Sequence, residues 1–128
     1  MAAFDLNSYP WAIRKQLTAS DVNGSSRLLL PTESVEDHVL TYFDQLRIAE
    51  IESKRGARVV VRDVDTNSEH HLTFKRWPST NSYVLINNWK HDFVRRKNLR
   101  QGDEILLLWN RSESAFYFSA LLHHAAAI

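Results

Sequence analysis

The residues best placed to do chemistry in this chain are its bases and acids, and they are segregated. From Pro31 to Lys54, six acids (Glu33, Glu36, Asp37, Asp44, Glu50, Glu52) face two bases (Arg47, Lys54). From Lys75 to Arg100, seven bases (Lys75, Arg76, Lys90, Arg95, Arg96, Lys97, Arg100) face one acid, Asp92. A basic block of that density suits a phosphate backbone or an acidic partner; its plainer reading is a helix face that is merely solvated. The run Arg95-Arg96-Lys97 reads as such a solvated helix end, with phosphate contact and nuclear import as its sharper alternatives.

The other reactive groups point nowhere in particular. The absence of cysteine excludes disulfides, thiolate zinc sites and cysteine nucleophiles, and fits a reducing compartment. His70 and His71 are neighbours on an expected strand, so their rings face opposite sides and cannot share a metal. Asp63-Val64-Asp65-Thr66-Asn67 begins like a calcium loop, but Ser68 stands where the turn needs glycine and Phe74 where it needs the bidentate glutamate. No metal site and no cofactor is expected. No nucleophile elbow, phosphate loop, dinucleotide glycine pattern or H-E-x-x-H is present, so the chain does not read as an enzyme. Asn23-Gly24-Ser25 and Asn110-Arg111-Ser112 match the glycosylation triplet, but the N-terminus lacks the basic and apolar regions of a secretory signal, so both should be inert.

The elements that must position these groups are short. The 128 residues, 44% hydrophobic and 24% charged, supply one core and not two. No apolar run is long enough to cross a membrane. Residues 1–9 and 123–128 read as tails around a domain spanning 10–122. Alternation predicts strands over 11–17, 27–30, 58–64, 69–76, 82–86, 104–110 and 115–122. In the fourth of these, Leu72 and Phe74 face in, while Thr73 and Lys75 face out with Trp77. A helix is predicted from Thr32 to Leu46, capped by Thr32 or Ser34, with Val35, Val39, Tyr42, Phe43 and Leu46 as its apolar stripe. A second runs from Trp89 to Lys97, capped by Asn88, with Trp89 and Phe93 on one face. Trp89, Phe93, Tyr83, Leu85, Ile105 and Leu107 are the expected core. Seven short strands and two helices favour a closed or half-closed sheet over a βαβ layout.

An ordered set of residues carries more than this. Leu17-Thr18-Ala19-Ser20-Asp21-Val22 is followed by Arg27-Leu28 and Pro31. Then come Trp77, Ser82-Tyr83-Val84-Leu85, Trp89, Phe93-Val94, Leu99 and Gly102-Asp103-Glu104-Ile105. In that order and with those gaps, the chain resembles the plant B3 DNA-binding domain over roughly Trp11 to Leu122. The resemblance implies a mainly β (α+β) fold, a seven-stranded open pseudobarrel with two short capping helices. It further implies a nuclear, non-enzymatic module of transcriptional regulation whose partner is double-stranded DNA, alone or as a homo- or hetero-oligomer with other regulators.

In that family two arms enter the major groove. Here the resemblance assigns the first to 23–27, with Asn23, Ser25, Ser26 and Arg27, and the second to 75–82, with Lys75, Arg76, Trp77, Ser79, Thr80, Asn81 and Ser82. The residue types suit the task. Arginine forks onto guanine, asparagine pairs with adenine, and hydroxyls reach phosphates or base edges. The first arm departs from many members, with Gly24 and Ser26 where a basic residue and an asparagine are common, and Pro78 stands where a polar residue is commoner. Phosphate contacts should survive these changes better than base contacts. The rival reading is a protein-interaction module of the same fold with weak or lost DNA readout. Single-stranded binding ranks last, because the adjacent exposed aromatics it needs are missing.

Overall fold

In the computed structural model, which describes residues 9–123, seven strands form one sheet. They are β1 (Ile13–Gln16), β2 (Leu28–Leu30), β3 (Ala57–Asp63), β4 (Ser68–Trp77), β5 (Ser82–Ile86), β6 (Glu104–Asn110) and β7 (Ala115–Leu121). Their spatial order is β1-β6-β7-β3-β4-β5-β2, antiparallel except for β3 against β7. The expected mainly β pseudobarrel is therefore the fold. Among the described residues no helix is long and apolar enough to cross a membrane.

Alternation builds the core. The inward residues of each strand are Ile13, Leu28 and Leu30, Val59 and Val61, Leu72 and Phe74, Tyr83 and Leu85, Ile105 and Leu107, and Phe116 and Phe118, all buried. All six residues named in advance as core lie in it. Rings meet edge to face along its axis, with Phe74 5.3 Å from Phe116 and Phe93 4.7 Å from Phe118. Such pairs add about 0.5–1.5 kcal/mol each beyond burial. The two free edges, β1 and β2, are bridged by one side chain: Lys15 of β1 donates from Nζ to the Leu29 carbonyl of β2.

The helices differ most from expectation. The single helix predicted from Thr32 to Leu46 is two, α2 (Thr32–His38) and α3 (Gln45–Glu52), separated by a 3-10 turn over Leu40–Tyr42. Val39 leaves helical geometry at φ −125°, and Phe43 is extended. That break turns Phe43 onto Phe74 and Trp109, at 6.1 and 5.0 Å between ring centres. Asp44 then restarts the helix, its Oδ1 accepting from the Arg47 N–H at 2.8 Å, an N-cap hidden inside the predicted stripe. Leu46, predicted to be buried on that stripe, is 83% exposed, and Tyr42 is 49% exposed. Neither Thr32 nor Ser34 caps α2. Its cap is Pro31, and the Thr32 hydroxyl donates to the Asn81 carbonyl instead.

Residues 89–97 are helical, but Lys90–Arg95 form a π turn. The Arg96 Nε donates to the Asp92 carbonyl at 2.6 Å, while the Arg96 N–H bonds to Phe93. A side chain has thus taken the acceptor of a regular helical bond. Trp89 and Phe93 still stack, 5.3 Å apart and 17° from parallel. Asn88 does not cap through its side chain, which donates to the His71 carbonyl. A four-residue helix α1 (Ala19–Val22) joins β1 to the loop before β2.

The registers sort the connections onto two ends of the barrel. Ala57 pairs with Phe74, Val60 with Ala115 and Trp77 with Ser82. One end therefore carries the β4–β5 turn, the β6–β7 turn, α2 and α3. The opposite end carries α1, the loop 23–27, the π turn and the turns at 64–67 and 101–103. Of the two expected tails, 1–8 and 124–128 lie outside the described residues. Tyr9 packs its ring 5.7 Å from Tyr117, and the His123 N–H donates to Asp103 Oδ1 at 2.7 Å.

Candidate nucleic-acid interface

The first arm hangs from a buried carboxylate. Asp21 is 1% exposed, and its oxygens accept from the Thr18 N–H (2.8 Å), the Thr18 hydroxyl (2.9 Å), the Leu29 N–H (3.2 Å), Arg27 Nη1 (3.0 Å) and Lys15 Nζ (2.9 Å). Burial alone would raise its pKa. The bonds from Thr18, Lys15 and Leu29 outweigh that and hold the carboxyl below the usual carboxylate range. The Asp21 carbonyl is also taken, by the Trp89 indole N–H at 2.8 Å. The Leu-Thr-x-Ser-Asp stretch is thus a structural knot that joins β1, β2 and the π turn.

From that knot the loop 23–26 projects outward. Asn23, Gly24, Ser25 and Ser26 are all exposed. Two residues have left-handed backbone, Gly24 at φ +67° and Ser26 at φ +52°, which folds the loop back so that the Ser25 hydroxyl reaches the Ser20 carbonyl at 2.8 Å. Arg27 sits at the arm's base. Its side chain is 12% exposed, with Nη2 also on the Ser20 hydroxyl at 3.0 Å.

The second arm is a tight turn held from within. Pro78, Ser79, Thr80 and Asn81 are exposed, while Lys75, Arg76, Trp77 and Ser82 are half-buried. Asn81 takes left-handed backbone at φ +51°, and its Oδ1 accepts from Arg76 Nε at 3.1 Å and from Nη2. The Ser82 hydroxyl closes the turn on the Thr80 carbonyl at 3.2 Å. Lys75 Nζ donates to the Lys54 carbonyl, just past the end of α3. The turn after α3 explains why Thr73, predicted to face out, is buried. Gly56 passes so close over β4 that a Cβ there would lie 2.7 Å from Thr73 Cγ2 and 3.1 Å from the Phe74 carbonyl.

The two arms flank one ribbon. Leu28 pairs with Leu85 and Leu30 with Tyr83 across β2 and β5, and Trp77 pairs with Ser82 across β4 and β5. The first arm therefore leaves at the Ile86 end of β5 and the second at the Ser82 end, about four residues or 13 Å of strand apart. All eleven residues assigned to the arms lie in these two segments. The three cations among them are each engaged by an internal acceptor.

The run 95–97 is not a uniformly solvated helix end. Arg96 and Lys97 close on the buried Asp63 at 2.6 and 2.9 Å. Burial raises the Asp63 pKa, and the Arg96 and Lys97 bonds pull it down further than that, below the usual range. Arg95 and Arg96 are exposed and Lys97 is half-buried, but only Arg95 of the three has no ion pair among the described residues. Sequence reading missed the Asp63 pairing because the partners stand more than thirty positions apart.

Comparison with known proteins places this geometry. Residues 11–121 match the family model described as the C-terminal domain of B3 domain-containing protein At5g26805. The chain is 37% identical over 113 residues to the B3 domain-containing protein At1g78640 of Arabidopsis thaliana, covering 88% of this chain but only 23% of that relative. It is 34% identical over 105 residues to the Arabidopsis thaliana B3 domain-containing protein At3g28853, covering 82% of this chain and 83% of the relative. Among solved structures, the Arabidopsis FUS3–DNA complex matches with a TM-score of 0.68 at 26% identity, over 87% of this chain and 96% of that one.

Proposed function

Because this chain belongs to the B3 domain-containing protein family, we propose that it is a nuclear, sequence-preferring double-stranded DNA-binding module of transcriptional regulation, gripping the major groove with its arms 23–27 and 75–82. The observation that carries this reading is the placement of two exposed polar arms at the two ends of the β2–β5–β4 ribbon, on a fold shared with a DNA-bound relative. In the second arm, Arg76 and Asn81 are held together as one unit, whose fork and amide address neighbouring bases once that bond is exchanged. Ser79 and Thr80 at its tip reach phosphates or base edges, and Trp77 braces its root. In the first arm, Arg27 is pinned at the base while Asn23, Ser25 and Ser26 meet the duplex.

Selection from a random duplex library, followed by titration of the enriched and scrambled sequences, tests the reading. An enriched motif is expected, with affinity falling steeply as salt rises. Arg76→Ala should cost about 1–3 kcal/mol and relax preference at one position. No enrichment together with a flat salt response would refute it.

One observation favours the rival of a protein-interaction module with weak readout. Arg27, Lys75 and Arg76 are each held by internal acceptors, so base contact requires exchange of existing bonds. A chain that captures other regulators or itself yet shifts no duplex would support that rival.

A further inference from the structure

The end of the barrel that bears the first arm holds a second cationic feature. A cavity of about 300 Å³ opens between Ser26 of that arm and the residues Asn88, Lys90, His91 and Arg95. No carboxylate lines it. Lys90 and Arg95 form no ion pair among the described residues, unlike Arg96 and Lys97. Asp92, which lies between the two cations in sequence, is occupied by His91 Nδ1 at 2.7 Å and His70 Nδ1 at 3.0 Å.

Backbone geometry brings the two cations together. Lys90 and Arg95 stand five positions apart, a spacing that sends α-helical side chains to well-separated faces. They bound the π turn, in which hydrogen bonds run over five residues, so residues i and i+5 share one face, as i and i+4 do in an α-helix. The turn thus gathers Lys90 and Arg95 on the edge next to Ser26. Two unpaired cations, a hydroxyl and an imidazole around an open polar cavity make an anion receptor, and its position beside the arm selects the anion.

We propose that Lys90 and Arg95, with Ser26 and His91, bind the sugar-phosphate backbone of the duplex flanking the first arm. This rests on the reading of the chain as a duplex-binding module. The contact carries no base information. It fixes the register of the arm and contributes a share of affinity common to all sequences.

The test is fluorescence-anisotropy titration of the whole chain with an enriched duplex and a scrambled one across a salt series. The proteins compared are wild type, Lys90→Ala/Arg95→Ala, Lys90→Arg/Arg95→Lys, and Arg14→Ala as a surface-charge control on β1. Thermal melts of each verify the fold. The double alanine variant is expected to weaken binding to both duplexes by the same factor and to make the slope of log K against log salt shallower by about 1.8, the value for two phosphate contacts at about 0.9 each. The charge-preserving variant and Arg14→Ala should keep the wild-type slope. If wild type binds and the double alanine variant retains its slope, or loses affinity for one duplex only, the phosphate site is wrong and the arms stand. If wild type binds neither duplex, the duplex-binding reading fails and this site falls with it.

Discussion

Replacing Asp21 by alanine should come close to unfolding the protein. The carboxylate is buried and receives five donors, two of them the cations Lys15 and Arg27, whose side chains are 13% and 12% exposed. Alanine leaves those cations facing one another, with the Thr18 and Leu29 N–H groups orphaned. Removing one partner of a buried ion pair costs about 3–5 kcal/mol. A domain of this size has only about 5–15 kcal/mol in total. Asp21→Asn keeps an acceptor and loses the charge, so it should cost less, about 1.5–3 kcal/mol. The pH dependence separates this from a general packing defect. The folded pKa of Asp21 lies below its unfolded value of 3.8. Its contribution is therefore complete above the unfolded value and disappears as pH falls through the folded one. Asp63 and Asp92 are lowered too, so both proteins lose stability in acid, and the Asp21 share is the gap between them. Urea unfolding at neutral pH and at a series of acid pH values measures it. The midpoint difference between wild type and Asp21→Asn should narrow as pH falls below the carboxylate range. A gap that is absent at neutral pH, or constant across the series, would refute the reasoning.

Gly56→Ala should destabilise by about 2–5 kcal/mol, the sum of left-handed strain and overpacking, because Gly56 has φ +72° and its missing Cβ would meet the β4 backbone. Gly24→Ala, at φ +67° in open space, should lose only about 1–2 kcal/mol from strain; equal losses in urea melts would contradict the crowding at Gly56. Leu46→Lys should shift stability by no more than about 0.5 kcal/mol, since Leu46 is 83% exposed, and a loss of core magnitude would restore the single long helix. Burial, and the bond from its hydroxyl to Glu113 Oε2 at 2.7 Å, push the Tyr117 phenol up to about 12. Its contribution is present below the ordinary tyrosine value of 10.0 and is lost as pH rises toward 12; absorbance titration of Tyr117→Phe should lack the last phenolate step.

What the sequence displays and what it hides divide along one physical line. Strands with alternating apolar residues, such as Glu104–Asn110 and Ser82–Ile86, are legible because each side chain's fate depends on its own position and the pleat. Trp89 and Phe93 are legible for the same reason at helical spacing. The break at Val39 is not, because the pull on Phe43 comes from Phe74 and Trp109, distant in sequence. The π turn is not, because it depends on Arg96 reaching Asp92 and Asp63 together. The two loops proposed as arms could be placed between strands by their ordered landmarks. That Arg27 is anchored by Asp21, and Arg76 by Asn81, could not be read without knowing which acceptors lie within reach.

The single parallel pairing, Val60–Asp63 against Ala115–Phe118, has a consequence for the order of assembly. β1, made first, finds its partner only in β6, and β3 is completed on one side only by β7. During synthesis the ribbon of β2 to β5 can form early, with one flank of β3 bare and β1 idle until the last hairpin has left the ribosome. Closure then joins the first and last strands of the sheet in one long-range event, the kind that slows folding. A chain released before Ala115 would carry an unsatisfied β3 edge, a template for association with its siblings.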